Sequence, residues 1–190
     1  MKLYEVIDKY FKSRVISSRE RKEIEEVSVE DLPKLFEHGV VICEDDKIVE
    51  LPSVSPTYIL VPDELLSKCR VRKALIHNHP SDVIPSIEDL VTASCKKIEK
   101  LCIVHRRDID EFEVLCIPES EYERVAEVII KSTLSHDVPC KMKPVRVRRG
   151  SDYFTFANIE CNVEEIERKI ISELRKRNIK FEHKLVLVDK

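Results

Sequence analysis

Apolar positions along this chain follow two periods. Leu3, Val6, Ile7, Tyr10 and Phe11 recur at helical spacing and predict an amphipathic opening helix. Residues 19–26 are almost all charged and read as a solvated helix or a link. Ser28 suits the cap of a short helix reaching Phe36, with Pro33 late in it. Residues 37–43 and 47–51 read as two strands around the polar turn Glu44-Asp45-Asp46, and residues 58–61 as a third. Pro62 stands where a helix over residues 63–69 would begin. Ala74-Leu75-Ile76 starts a buried strand. Ser86 opens a helix whose inner stripe is Leu90, Ser94, Ile98 and Leu101. Residues 101–104 and 112–117 form a strand pair around a charged turn.

Beyond residue 118 the pattern changes. Val125, Val128, Ile129 and Leu134 predict a helix over 121–134. Residues 145–148 and 153–156 flank a turn holding Gly150. Val163, Ile166, Ile170, Ile171 and Leu174 make one helix face, with Glu164/Arg168 and Glu173/Arg177 as favourable pairs four apart. Phe181, His183, Leu185 and Leu187 alternate as a last strand. The expected organisation is an N-terminal helical segment (1–27), an α/β domain (28–118) and a small C-terminal ββαβ module (119–190).

The chain has 190 residues, 43% hydrophobic and 36% charged, enough for one core and a small second unit. A net charge of −3 gives no global argument for nucleic-acid binding. No apolar run reaches membrane-spanning length and no signal peptide opens the chain. With only two glycines, Gly39 and Gly150, phosphate-loop and dinucleotide fingerprints are excluded. Seven cysteines, odd in number and scattered without a Cys-x-x-Cys, imply reduced thiols and a cytoplasmic location.

Residues 74–90 carry the chemistry. His77 and His79 are separated by one residue at the end of a strand, so both side chains fall on one face. Pro80 keeps His79 extended. Six residues later, Ser86 and Asp89 open a helix three apart. Two imidazoles, one carboxylate and an open fourth position describe a catalytic zinc site.

The run His77-x-His79 … Ser86-x-x-Asp89 resembles the signature of the JAMM (MPN+) metalloproteases, closest in wording to the RadC-like and prokaryotic JAB branches. It departs by one residue, since six separate His79 from Ser86 where the family has seven. The resemblance covers residues 28 to 118. It implies a JAMM/MPN, cytidine-deaminase-like fold, a mixed sheet flanked by helices. It also implies Zn²⁺ held by His77, His79 and Asp89, with Ser86 stabilising the oxyanion. The family's general base, a glutamate at the start of an early strand, matches Glu37, with Glu44 and Glu50 as rivals. Active JAMM enzymes cleave peptide or isopeptide bonds of ubiquitin-like conjugates, so a protein substrate is implied. Asn78 faces away from the metal and takes no role.

Two other readings stand beside this one. Some MPN domains are scaffolds without catalysis. The RadC-like wording instead suggests a nucleic-acid-associated protein or metal-dependent nuclease, with Lys141, Lys143, Arg146, Arg148 and Arg149 as its contact. For that stretch, the solvated face of an edge strand is the favoured reading. His105, His136 and His183 have no partners at ligand spacing and read as structural or exposed. The sequence leaves oligomeric state open.

Overall fold

The structure, a computed structural model, describes residues 2–135 and 137–188. His136 therefore lies outside the described residues. In chain order the elements are α1 (Leu3–Tyr10), α2 (Ser18–Glu23), β1 (Glu26–Ser28), β2 (Gly39–Cys43), β3 (Ile48–Glu50), α3 (Asp63–Leu66), β4 (Arg72–Asn78) and α4 (Ile87–Cys95). Then follow β5 (Lys100–Asp108), β6 (Glu111–Pro118), α5 (Tyr122–Leu134), β7 (Cys140–Arg149), β8 (Asp152–Cys161), α6 (Glu164–Lys176) and β9 (Glu182–Leu187). The protein is an α/β fold with mixed sheets flanked by helices.

The larger sheet has the order β3-β2-β4-β5-β6-β9. Its one parallel pair is β4 with β5, joined by α4 as a crossover, and its other pairings are antiparallel. Strand alternation divides two cores. Val41, Leu75, Leu101, Ile103, Leu115 and Ile117 face α4, α5 and α6. Val40, Ile76, Val104, Phe112 and Val114 face Val6, Ile7 and Phe11 of the α1 region. The amphipathic opening helix thus covers one face of the sheet. Strand β4 is buried on both faces, which explains its continuous apolar run.

The charged stretch 19–26 resolves through local capping. Ser17 Oγ accepts from the Glu20 amide (3.1 Å) and Glu20 Oε2 accepts from the Ser17 amide (2.8 Å), which opens α2. It is not simply a wet face, because Arg21 is buried. The helix expected from Ser28 to Phe36 is only a 3₁₀ turn at Leu32–Leu35, since Pro33 withholds the amide that an α-helix needs there. Residues 58–61 form no strand. Lys97, at φ +52°, stops α4 early, so Leu90 and Ala93 rather than Ser94 meet the core.

The C-terminal stretch does not form a ββαβ sheet of its own. Strand β9 pairs with β6 as the sixth strand of the larger sheet. The hairpin β7–β8 joins β1 in a separate three-stranded sheet. Strand β7 is also not an edge. It runs parallel to β1 in the middle of that sheet, because Val145 packs with Val27 and Leu35 on its inner face.

Six of the seven cysteines pair, contrary to the expectation of reduced thiols. Cys43 bonds Cys69, Cys102 bonds Cys116 and Cys140 bonds Cys161, leaving exposed Cys95 free. Two of the pairs are residues directly opposite on neighbouring strands, β5 with β6 and β7 with β8. Linear scatter hid this, because strand register brings distant cysteines together. The argument for a reducing compartment loses its basis. Among the described residues no helix is long and apolar enough to cross a membrane.

Candidate metal centre

The site forms where β4 leaves the centre of the larger sheet, at the carboxyl end of its strand, between β2 and β5. His77 lies within β4, and the His79 amide still donates to Val104 O (2.9 Å), so the chain stays extended through both histidines. The loop then turns back, with Asp82 Oδ1 accepting from the Ile84 amide (2.7 Å). Ser86 and Asp89 form a reciprocal cap at the start of α4: Ser86 Oγ accepts from the Asp89 amide (3.0 Å), and Asp89 Oδ2 from the Ser86 amide (2.7 Å). The connector that is one residue short still aims the Asp89 carboxylate at both rings.

Three ligand-type groups converge. His77 Nε2 and His79 Nε2 are 3.0 Å apart. Asp89 Oδ1 is 3.3 Å from the former and Asp89 Oδ2 is 3.1 Å from the latter. Atoms bound to one tetrahedral zinc at about 2.0 Å lie roughly 3.3 Å from each other, so this spacing fits a shared cation. His77 is fully buried and its other ring nitrogen, Nδ1, has no hydrogen-bond partner among the described residues. His79 presents its Nδ1 towards Asp82 Oδ1, 3.9 Å away.

Glu37 completes the cluster. It stands just before β2, is buried, and offers a carboxylate oxygen that lies with the ring nitrogens of His77 and His79 in a group no more than 4.8 Å across. Glu37, His77 and His79 are therefore also a set that could hold a metal ion. The Glu37 backbone is tied from both sides, its amide donating to Ser55 O (2.8 Å) and its carbonyl accepting from Ser53 Oγ (2.8 Å). The rivals are engaged elsewhere: Glu44 accepts from the Val71 amide and Glu50 pairs with Arg14.

Asn78, given no role from sequence, anchors this corner. It is buried, its side-chain Oδ1 accepts from the His38 backbone amide (2.6 Å), and its backbone amide donates to His38 O (3.1 Å). It thus holds the residue next to Glu37. Gly39 is opposite His77 across the β2–β4 pair, and a Cβ there would meet Leu51 Cδ1 at 3.1 Å and His77 Cβ at 3.3 Å. The strands approach closely enough here that any side chain would press on Leu51 and His77.

The titrations differ across the cluster. Burial pushes Glu37 up to about 7, against the pull of His79. Burial would raise Asp89 too, but its two histidines hold it far below the usual carboxylate range. Burial lowers His77. It opposes the charge on His79 as well, yet the Asp82 and Asp89 carboxylates facing its two ring nitrogens carry that ring well above its ordinary value. Two carboxylates in one site are thereby pushed apart.

A cavity of about 460 Å³ opens beside the centre. Glu37, His79, Asp82 and Ser86 line one end, and Ile129, Ile159, Ile166 and Ile170 supply much of the rest. Asp82, Arg21 and Asn158, all on or near this cavity, had no signal in the sequence, because loop, helix and strand meet there only after folding.

His105 and His183 have structural partners. His105 is buried against His79 O (3.1 Å), and His183 pairs with buried Glu113. Lys141, Lys143, Arg146, Arg148 and Arg149 lie on the β7 strand, and none of them lines the cavity beside the candidate metal centre. Lys143 donates to Lys22 O, Arg148 is 3.9 Å from Glu26, and the Arg146 guanidinium stands 4.3 Å from the Tyr153 ring centroid. No family model, curated protein or solved structure matches this chain.

Proposed function

We propose that this protein is a zinc-dependent hydrolase of amide bonds, a metallopeptidase or isopeptidase of the JAMM kind. One observation carries the reading: His77 Nε2 and His79 Nε2 lie 3.0 Å apart, and the Asp89 carboxylate faces both, Oδ1 3.3 Å from the first and Oδ2 3.1 Å from the second. Those three side chains hold the metal. The donor set fits zinc, with two imidazoles and one carboxylate and room for a fourth ligand. Bound there, zinc supplies a Lewis acid that activates water and polarises the scissile carbonyl. Glu37 is the proton carrier. It takes a proton from the attacking water and delivers it to the leaving nitrogen, from a position its backbone ties hold close to the two rings. Ser86 lines the cavity at the start of α4, where its hydroxyl and the positive end of the helix face the oxygen that becomes anionic. A ubiquitin-like conjugate is the substrate the resemblance suggests.

Glu37→Gln keeps the shape of the side chain and removes its basicity. Against a panel of peptide and isopeptide substrates, kcat falls about 10²- to 10⁴-fold in this variant. Full activity in Glu37→Gln would end the assignment of the base.

A further inference from the structure

The cavity beside the metal centre has a second polar feature. Arg21, only 6% exposed, is the one lysine or arginine among its lining residues. Its Nη2 donates to Leu35 O (3.0 Å) and its Nη1 to Asn158 Oδ1 (3.2 Å), while Nε donates to nothing among the described residues. Asn158, 3% exposed and also lining the cavity, spends its oxygen on Arg21 and leaves Nδ2 without an acceptor. Burial lowers the guanidinium to about 10, opposed by the fields of Glu160 and Glu37, neither of which forms an ion pair with it. A buried cation held only by a carbonyl and an amide is costly, and so is a buried N–H left open beside it. Both open donors are closed to solvent, so an anion reaches them only with a small shift of these side chains, and it then offsets both costs. A planar guanidinium with a neighbouring amide donor matches a carboxylate. Ile129, Val138, Ile159 and Ile170 make an apolar stretch of the wall, and the cavity's carboxylates are Glu37, Asp82 and Glu167.

We propose that this cavity recognises a carboxylate-bearing ligand with an apolar side chain, such as the C-terminal apolar residue of a peptide or an N-acyl amino acid. The carboxylate lies against Arg21 and Asn158, and the side chain lies against the isoleucines. This deepens the hydrolase reading by naming a substrate class, yet recognition is read as binding, without turnover and without metal.

The test uses the full chain stripped of metal with EDTA, titrated calorimetrically with N-acetyl-L-leucine and, separately, with N-acetyl-L-leucinamide. The acid is expected to bind at least about tenfold more tightly than the amide. Arg21→Met is expected to erase that difference, and Arg21→Lys to keep part of it. Asn158→Asp, which changes no backbone, is expected to weaken the acid and spare the amide. Equal affinity for acid and amide, binding of neither, or an unchanged preference in Arg21→Met would overturn the proposal. So would a preference that appears only after zinc is added, since the carboxylate would then be on the metal. Loss of hydrolysis in Glu37→Gln bears on the reaction alone and leaves this result to stand or fall by itself.

Discussion

Two corners of the cavity are assembled by different means. The corner of β4 and α4 gathers His77, His79 and Asp89 from one short run of chain, and their convergence follows from strand alternation and a helix cap. The opposite wall of the cavity comes from β8, α5 and α6, placed by pairings between distant parts of the chain, Glu26 with Arg146 and Cys116 with Glu182. The proposed chemistry is local and the proposed recognition surface is long-range. Damage to the first corner should therefore abolish function without unfolding the chain, whereas damage to the second should loosen the fold and leave the metal in place.

The largest separation is expected from His79→Ala. Hydrolysis should fall to background, and zinc affinity should drop by more than the 10- to 100-fold typical of losing an outer partner of a ligand, as a competition titration with a chelator would show. A metal affinity unchanged in this variant would erase the contrast between the corners. The counterpart change, Cys140→Ser with Cys161→Ser, opens the base of the β7–β8 hairpin. It should lower stability by about 2–4 kcal/mol in denaturant unfolding while zinc content stays the same.

Asn78→Ala tests the support of the first corner. It leaves the His38 amide without its side-chain acceptor, which costs about 1–3 kcal/mol for a buried donor, and it frees the segment that carries Glu37. Steady-state kinetics should show kcat falling about 10- to 100-fold with zinc retained. Stability loss with unchanged kcat would make Asn78 a packing residue only.

The smallest effect concerns pH. Burial raises Glu167 of α6 to about 7 from its ordinary 4.5. The folded protein therefore holds a proton that the unfolded chain has already released between those values. The stability tied to this group is full below pH 4.5 and is lost as pH rises through about 7. Glu167→Gln keeps an acceptor for the Val83 amide and removes the titration. In metal-free protein the fall of Tm from pH 5 to 7.5 should be shallower in this variant than in the parent. Glu37, which titrates in the same window, leaves some slope behind.

How much of this was legible in the sequence follows the same division. Spacing alone put His77 and His79 on one face and Asp89 on the first turn of α4, and Glu37 was singled out over Glu44 and Glu50 by the family pattern. The structure brings Glu37 to the two rings. Asn78 and Asp82 were invisible as partners, because the His38 amide and the loop turn are defined only by the fold. Arg21 was hidden inside a charge run that reads as solvent-facing until β8 closes over it with Asn158. The cysteines misled for the same reason, since register across β5–β6 and β7–β8 is a long-range property. The expected strand at 58–61 failed because a short apolar run without a partner strand has no ladder to join.

The central claim is that Asp89 and the two histidines hold the metal while Glu37 serves the proton. Zinc content per chain, measured by elemental analysis after equilibration with one equivalent of zinc and desalting, tests it directly. The account predicts one zinc in the parent protein and in Glu37→Gln, and markedly less in Asp89→Ala. Zinc retained in Asp89→Ala and lost from Glu37→Gln would contradict it and make Glu37 the third ligand.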